Sequence, residues 1–151
     1  RRYVRLLPGA LEGLVPTSSA AACEVMFVCT QNSARSQLAA ALWTDLAGSP
    51  ARSAGTRPAD RVHPGAVAAA RRAGLDLSSA VPTRISDVPA DERPPVVVTV
   101  CDQAHEDLPV PRSWLHWSIP DPVADGSAAA FDSVVDELKD RIERLAGCGA
   151  V

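Results

Sequence analysis

Cys29 and Arg35 stand six positions apart in the run Cys29-Thr30-Gln31-Asn32-Ser33-Ala34-Arg35-Ser36, directly after the apolar stretch Val25-Met26-Phe27-Val28. Those residue types in that order suit one chemistry, the gripping of a tetrahedral oxyanion against a thiolate. A strand would deliver Cys29 to its C-terminal end. The loop 30–34 can then turn its peptide N–H groups inward, and a helix starting near Ala34 adds unpaired donors and the positive end of its dipole. Such surroundings are expected to bring a thiol from about 8.5 toward neutrality, which makes Cys29 a nucleophile. Arg35 offers a planar fork for two oxygens of one anion. The oxyanion-binding set read from the sequence is therefore Thr30, Gln31, Asn32, Ser33, Ala34, Arg35 and Ser36. Asn32 is the member whose type best tolerates an unusual backbone angle.

The elements that must position this loop follow from the apolar pattern. Strand 1 is expected over 24–28 and a helix over 34–47, where Leu38, Leu42 and Leu46 recur at helical spacing with Ala41 beside them. A short strand is expected over 52–55. A second helix begins near His63-Pro64 and stops at Gly74. The β-branched run 95–100 does not alternate, as befits a strand buried on both faces. A fourth strand is expected over 114–119. The last helix runs from about 128 to 146 with Phe131, Val134, Val135, Leu138, Ile142 and Leu145 on one stripe, and Gly147 ends it.

Alternation of strands and helices argues an α/β domain, a four-stranded parallel sheet with helices on both faces and flavodoxin-like winding. Ligands of such sheets collect at the carboxyl ends of the strands, where the winding reverses. Cys29, Cys101 and Asp121 each fall at or just beyond such an end, so all three can converge on one crevice.

Bulk properties narrow the class. A chain of 151 residues with 4% aromatics supports one compact domain, and a formal charge of −3 offers no basic field for nucleic acid. No apolar run approaches the ~18 residues of a membrane span, and the start lacks the apolar core of a secretory signal. Cysteines 23, 29, 101 and 148 match no metal-ligand spacing and are too few for a disulfide scaffold. The expectation is a soluble, cytoplasmic protein with reactive thiols.

Residues 1–22 differ from the rest. They are basic and apolar up to Val15, are punctuated by Pro8 and Pro16, and end in the linker-like Thr17-Ser18-Ser19-Ala20-Ala21-Ala22. The segment Tyr3-Val4-Arg5-Leu6-Leu7-Pro8-Gly9-Ala10-Leu11-Glu12 resembles the end of an arsenic-responsive winged-helix repressor. That implies a DNA-binding domain fused ahead of a catalytic domain over 23–151.

From residue 24 to 147 the chain resembles the low-molecular-weight phosphatase fold, and most of all the arsenate reductases built on it. Four segments carry the likeness. They are the loop 28–36; Ser53-Ala54-Gly55-Thr56 with Val62-His63-Pro64 and Gly74-Leu75-Asp76-Leu77-Ser78; Val98-Thr99-Val100-Cys101-Asp102; and Ile119-Pro120-Asp121-Pro122-Val123-Ala124. Tyrosine phosphatases of this fold place aromatics after the aspartate–proline pair. Val123 and Ala124 offer none, which suits a small inorganic ion.

The resemblance implies a mechanism. Cys29 attacks the arsenic of arsenate, Arg35 and the loop stabilise the developing charge, Ser36 hydrogen-bonds the thiolate and Asp121 protonates the departing oxygen. Cys101 is the internal candidate for the second thiol. No bound cofactor or metal is implied, only an external thiol reductant, with phosphate and sulfate as competing oxyanions. Thioredoxin-coupled relatives carry a further cysteine where this chain has Leu108. Either a thioredoxin-like protein attacks a Cys29–Cys101 disulfide directly, or a low-molecular-weight thiol attacks arsenylated Cys29, as in the mycothiol/mycoredoxin-linked reductases.

Other candidates read as structural. Cys23 stands about 20 Å from Cys29 at ~3.3 Å per residue, and Cys148 is expected past the last helix as an exposed bystander. His63 reads as a capping or packing residue, His116 as structural, and His105 as a neighbour able to modulate Cys101. Trp43, Trp114 and Trp117 read as packing. Two competing functions remain, a low-molecular-weight protein tyrosine phosphatase and an oxyanion-sensing module attached to a repressor.

Overall fold

In the computed structural model, residues 23–150 are described, with side chains through Gly147. The expectations for 1–22 and for the exposure of the Cys148 side chain lie outside these limits, while Cys148 itself falls within the last helix and not past it. The elements are β1 (Val25–Cys29), α1 (Arg35–Ala47), β2 (Ala51–Gly55), α2 (Pro64–Arg72), β3 (Val96–Thr99), α3 (Asp102–Asp107), β4 (Leu115–His116), α4 (Pro122–Asp125) and α5 (Ala128–Ala150). All pairings are parallel in the order β2-β1-β3-β4. Chain order therefore reverses direction between β1 and β3, and the crevice at the carboxyl ends of these two strands is where the winding switches.

β1 is buried at every position, as its unbroken apolar run requires of a central parallel strand. α1 and α5 pack against one another beside the sheet. The buried face of α1 is Leu38, Ala39, Leu42 and Trp43, together with Ser36 and Gln37 at the loop end. The sequence stripe runs through Leu46, which is 36% exposed, because Trp43 is buried in the core instead. The indole N–H of Trp43 reaches the Cys23 carbonyl at 3.2 Å and holds the entry to β1. α5 buries Phe131, Val134, Val135, Leu138 and Ile142 as its periodicity indicates.

Three expectations need correction. The pattern predicts strand 4 over 114–119, yet only Leu115 and His116 join the ladder. The polar stretch after Cys101 forms α3, which sequence reading left without structure. Gly147 does not stop α5, which continues to Ala150. A glycine costs a helix only about 1 kcal/mol and ends it reliably only when its backbone turns left-handed.

Candidate active site

The anion loop is held from outside by its carbonyls. Thr56, Arg57, Ala59 and His63 donate their backbone N–H groups to the carbonyls of Cys29, Thr30, Gln31 and Ser33 at 2.8–3.1 Å. The Asn32 carbonyl accepts from Gln37 Nε2 at 3.1 Å, and the Ala34 carbonyl from Leu38 N at 2.9 Å. With the carbonyls of 29–34 so engaged, Asn32 N donates to Cys29 Sγ at 3.2 Å, and the Ser36 N–H also serves the sulfur. Gly55 permits this close approach. A Cβ there would lie 2.5 Å from the Thr30 carbonyl oxygen and 3.0 Å from Asn32. That is the physical content of the Ser53-Ala54-Gly55-Thr56 segment.

Asn32 adopts φ +51°, the lone non-glycine in that region among the described residues, and is fully buried. Its Oδ1 accepts from Thr83 N at 2.8 Å and Gln37 Nε2 at 3.1 Å, which leaves Nδ2 to donate to Ser36 Oγ at 2.7 Å. Ser36 Oγ stands 2.8 Å from Cys29 Sγ. Gln37 and Thr83 escaped the sequence reading. Gln37 looked like a helix position, and Thr83 lies too far along the chain for spacing to reveal it.

Cys29 is 2% exposed. Burial, the largest influence, pushes its thiol up from the ordinary value. Hydrogen bonds from the Ser36 side chain, Ser36 N–H and Asn32 N–H pull it partly back, and Cys101 nearby adds to the rise. The expectation of a thiol near neutrality is therefore corrected. Ser36 and Asn32 donate to the sulfur, but its lost hydration outweighs them.

Arg35 opens α1 and donates Nη1–H to the Ile119 carbonyl at 2.9 Å, two residues before Asp121. Asp121 is exposed and caps α4, accepting from Val123 N at 2.9 Å. Cys101 follows β3, is 1% exposed, and caps α3 with Sγ accepting from Ala104 N at 3.3 Å. Thr30 Oγ1 lies 3.3 Å from Cys101 Sγ, tying the loop directly to Cys101. Thr30, Ser33 and Ala34 are at least half-buried in the loop, while Gln31 is exposed at its rim.

Asp102, next to Cys101, accepts from His116 Nε2 at 2.9 Å and Ser118 Oγ at 3.1 Å. Those bonds, His116 first, hold its carboxyl below the usual carboxylate range, with a smaller contribution from Arg35. His105 stacks on His116 with ring centroids 4.2 Å apart. His63 caps α2 through Nδ1, accepting from Gly65 N at 2.9 Å, and stacks on Phe131.

A doubly wound parallel sheet, with a cysteine ending its first strand and an arginine opening the next helix, is the architecture of the cysteine-dependent phosphatase-like proteins. Residues 24–150 match the family described as low molecular weight phosphotyrosine protein phosphatase, and the chain belongs to it. Similar proteins include the glutaredoxin arsenate reductase of Synechocystis sp., 34% identical over 130 residues, covering 81% of this chain and 95% of that one. The arsenate reductase of Bacillus licheniformis is 34% identical over 135 residues, covering 83% and 96%. The crystal structure of arsenate reductase from Archaeoglobus fulgidus superposes with a TM-score of 0.72 at 30% identity, covering 82% and 98%.

Proposed function

We propose that this protein reduces arsenate to arsenite, with Cys29 as nucleophile. The observation that carries the reading is that two buried cysteines stand at the carboxyl ends of adjacent strands, Cys29 at the end of β1 and Cys101 just after β3, with Thr30 Oγ1 3.3 Å from Cys101 Sγ. Its closely similar relatives named as arsenate reductases support it. Cys29 passes its thiol proton to an oxygen of the bound arsenate and forms a bond to As(V), while one oxygen leaves as water with Asp121 supplying a further proton. Loop N–H groups and Arg35 stabilise the charge. Cys101 then attacks the Cys29 sulfur, its thiol proton passing to an oxygen of the arsenic group. The S–S bond forms, the S–As bond breaks, and its electron pair stays on arsenic, which departs as arsenite.

An external reductant returns two electrons to the disulfide. Leu108, the half-buried C-terminal cap of α3, offers no third thiol. A thioredoxin-like donor must therefore attack the Cys29–Cys101 disulfide itself, and a mycothiol/mycoredoxin or glutaredoxin route would instead attack Cys29 from outside. Phosphate and sulfate are the expected competitors for the loop.

The test is arsenite release from arsenate by the purified protein with thioredoxin, mycothiol/mycoredoxin and glutathione/glutaredoxin supplied in parallel. Release that disappears in Cys29→Ser supports the reading. Hydrolysis of an aryl phosphate without arsenite under any supply would transfer the site to phosphatase chemistry. Saturable arsenate binding with neither reaction would make it a sensor.

A further inference from the structure

β4 contributes only Leu115 and His116 to the sheet, and Trp117 N adds one more bond to the Thr99 carbonyl at 2.8 Å. Beyond that the ladder ends, yet the chain must still travel to Asp121. Side chains take over. The two Asp102 oxygens hold His116 Nε2 at 2.9 Å and Ser118 Oγ at 3.1 Å, and Arg35 holds the next carbonyl, that of Ile119.

This grip is anchored in the core. Thr99 Oγ1 stands 2.8 Å from His116 Nδ1 and 3.2 Å from His105 Nδ1 and donates to the Leu115 carbonyl at 3.4 Å, so both rings meet on one hydroxyl. Thr99 is fully buried at the end of β3. Asp102 itself has a side chain 64% exposed, but its two-point contact is built on a ring that the core orients.

We propose that Asp102 is a positioning residue for Asp121. It clamps the segment leaving β4 through His116 and Ser118, and so sets where the Asp121 carboxyl stands relative to Cys29. This rests on the reading of Asp121 as the proton donor to the departing oxygen. Because Asp102 adjoins Cys101, the same clamp joins the second thiol's strand end to the segment that carries the acid.

Two measurements on the full chain test it. In Asp102→Ala, amide hydrogen exchange across 117–121 should speed about tenfold or more while β1 and α1 keep their protection, which also shows that the variant folds. The kcat for arsenite release should fall about tenfold or more with KM for arsenate nearly unchanged. Asp102→Asn, able to accept from His116 and donate to Ser118, should recover most of both. Adding Asp102→Ala to Asp121→Ala should cost nothing further. Unchanged exchange overturns the clamp, and full additivity with Asp121→Ala overturns its catalytic purpose. If Asp121→Ala alone is fully active, the acid reading fails, and the exchange result still decides the clamp.

Discussion

Asn32 donates its side-chain N–H to Ser36 Oγ over 2.7 Å, and the direction of this bond is set by Thr83. Thr83 N can only donate, so its 2.8 Å contact fixes Asn32 Oδ1 as the acceptor and Nδ2 as the donor. Ser36 Oγ accepts there and stands 2.8 Å from Cys29 Sγ, with its own proton available to the thiolate once that forms. A directed chain of donors then ends on the sulfur, and its origin is a backbone amide from a distant loop.

Removing the source of that chain should be costly. Asn32→Ala leaves Thr83 N without its acceptor, deprives Gln37 Nε2 of one, and puts an alanine at φ +51°. The expected loss is about 2–4 kcal/mol of folding stability, read by urea denaturation. Unchanged stability would mean that water replaces the side chain without strain.

Cys29 should ionise above the ordinary thiol range in the free protein, since burial dominates its environment. Iodoacetamide labelling of Cys29, followed by mass spectrometry against pH, is expected to rise with a midpoint above that of a free cysteine. Ser36→Ala should move the midpoint higher still, because it deletes the largest opposing influence. A midpoint near neutrality in the wild type would refute the dominance of desolvation.

The same shift has a stability consequence. The folded state favours the neutral thiol, so the unfolded chain loses this proton first as pH rises. The contribution of Cys29 is fully present below the unfolded thiol value and declines as pH climbs from there through the raised folded value. Cys29→Ser should flatten that alkaline decline in denaturation midpoints. An identical slope in both proteins would assign the decline to other groups.

The mismatch between donors and ionisation shows where sequence reading stops. The strand–loop–helix around Cys29 was legible because periodicity and residue type are local. So was α5, whose stripe of Phe131, Val134, Leu138 and Ile142 follows directly from its spacing. Burial of Cys29 depends on α1, β2 and the 55–63 segment closing together, which no local pattern reports. α3 was missed because Asp102, Gln103, Glu106 and Asp107 show no apolar period, and only Ala104 of that helix is buried. β4 was drawn too long because Trp117 and Ile119 alternate like a strand, although Asp102 and Arg35, rather than a ladder, hold that stretch. The Gln37 and Thr83 contacts to Asn32 were invisible for the same reason, being made across the fold.

Gly55→Ala places a methyl group 2.5 Å from the Thr30 carbonyl oxygen, a backbone atom that cannot swing aside. Overpacking of this kind costs about 1–3 kcal/mol. Since the displaced atoms belong to the anion loop, sulfate affinity measured by calorimetry should fall along with the melting temperature. Weaker stability with undiminished sulfate binding would show that the strain is absorbed in β2 and never reaches the loop.

Cys101→Ser separates the two jobs that a second thiol can have. The serine preserves a polar atom at the cap of α3, where Sγ now accepts from Ala104 N and meets Thr30 Oγ1, so folding should survive. Arsenite release driven by thioredoxin is expected to drop to background, because hydroxyl oxygen cannot complete the disulfide. Any hydrolysis of an aryl phosphate should persist, since that reaction passes no electrons and needs Cys29 alone. The arsenylated Cys29 adduct should then accumulate and be visible by rapid-quench mass spectrometry. Full thioredoxin-driven turnover in this variant would place the second thiol outside the protein and leave Cys101 as a small core residue at the end of β3.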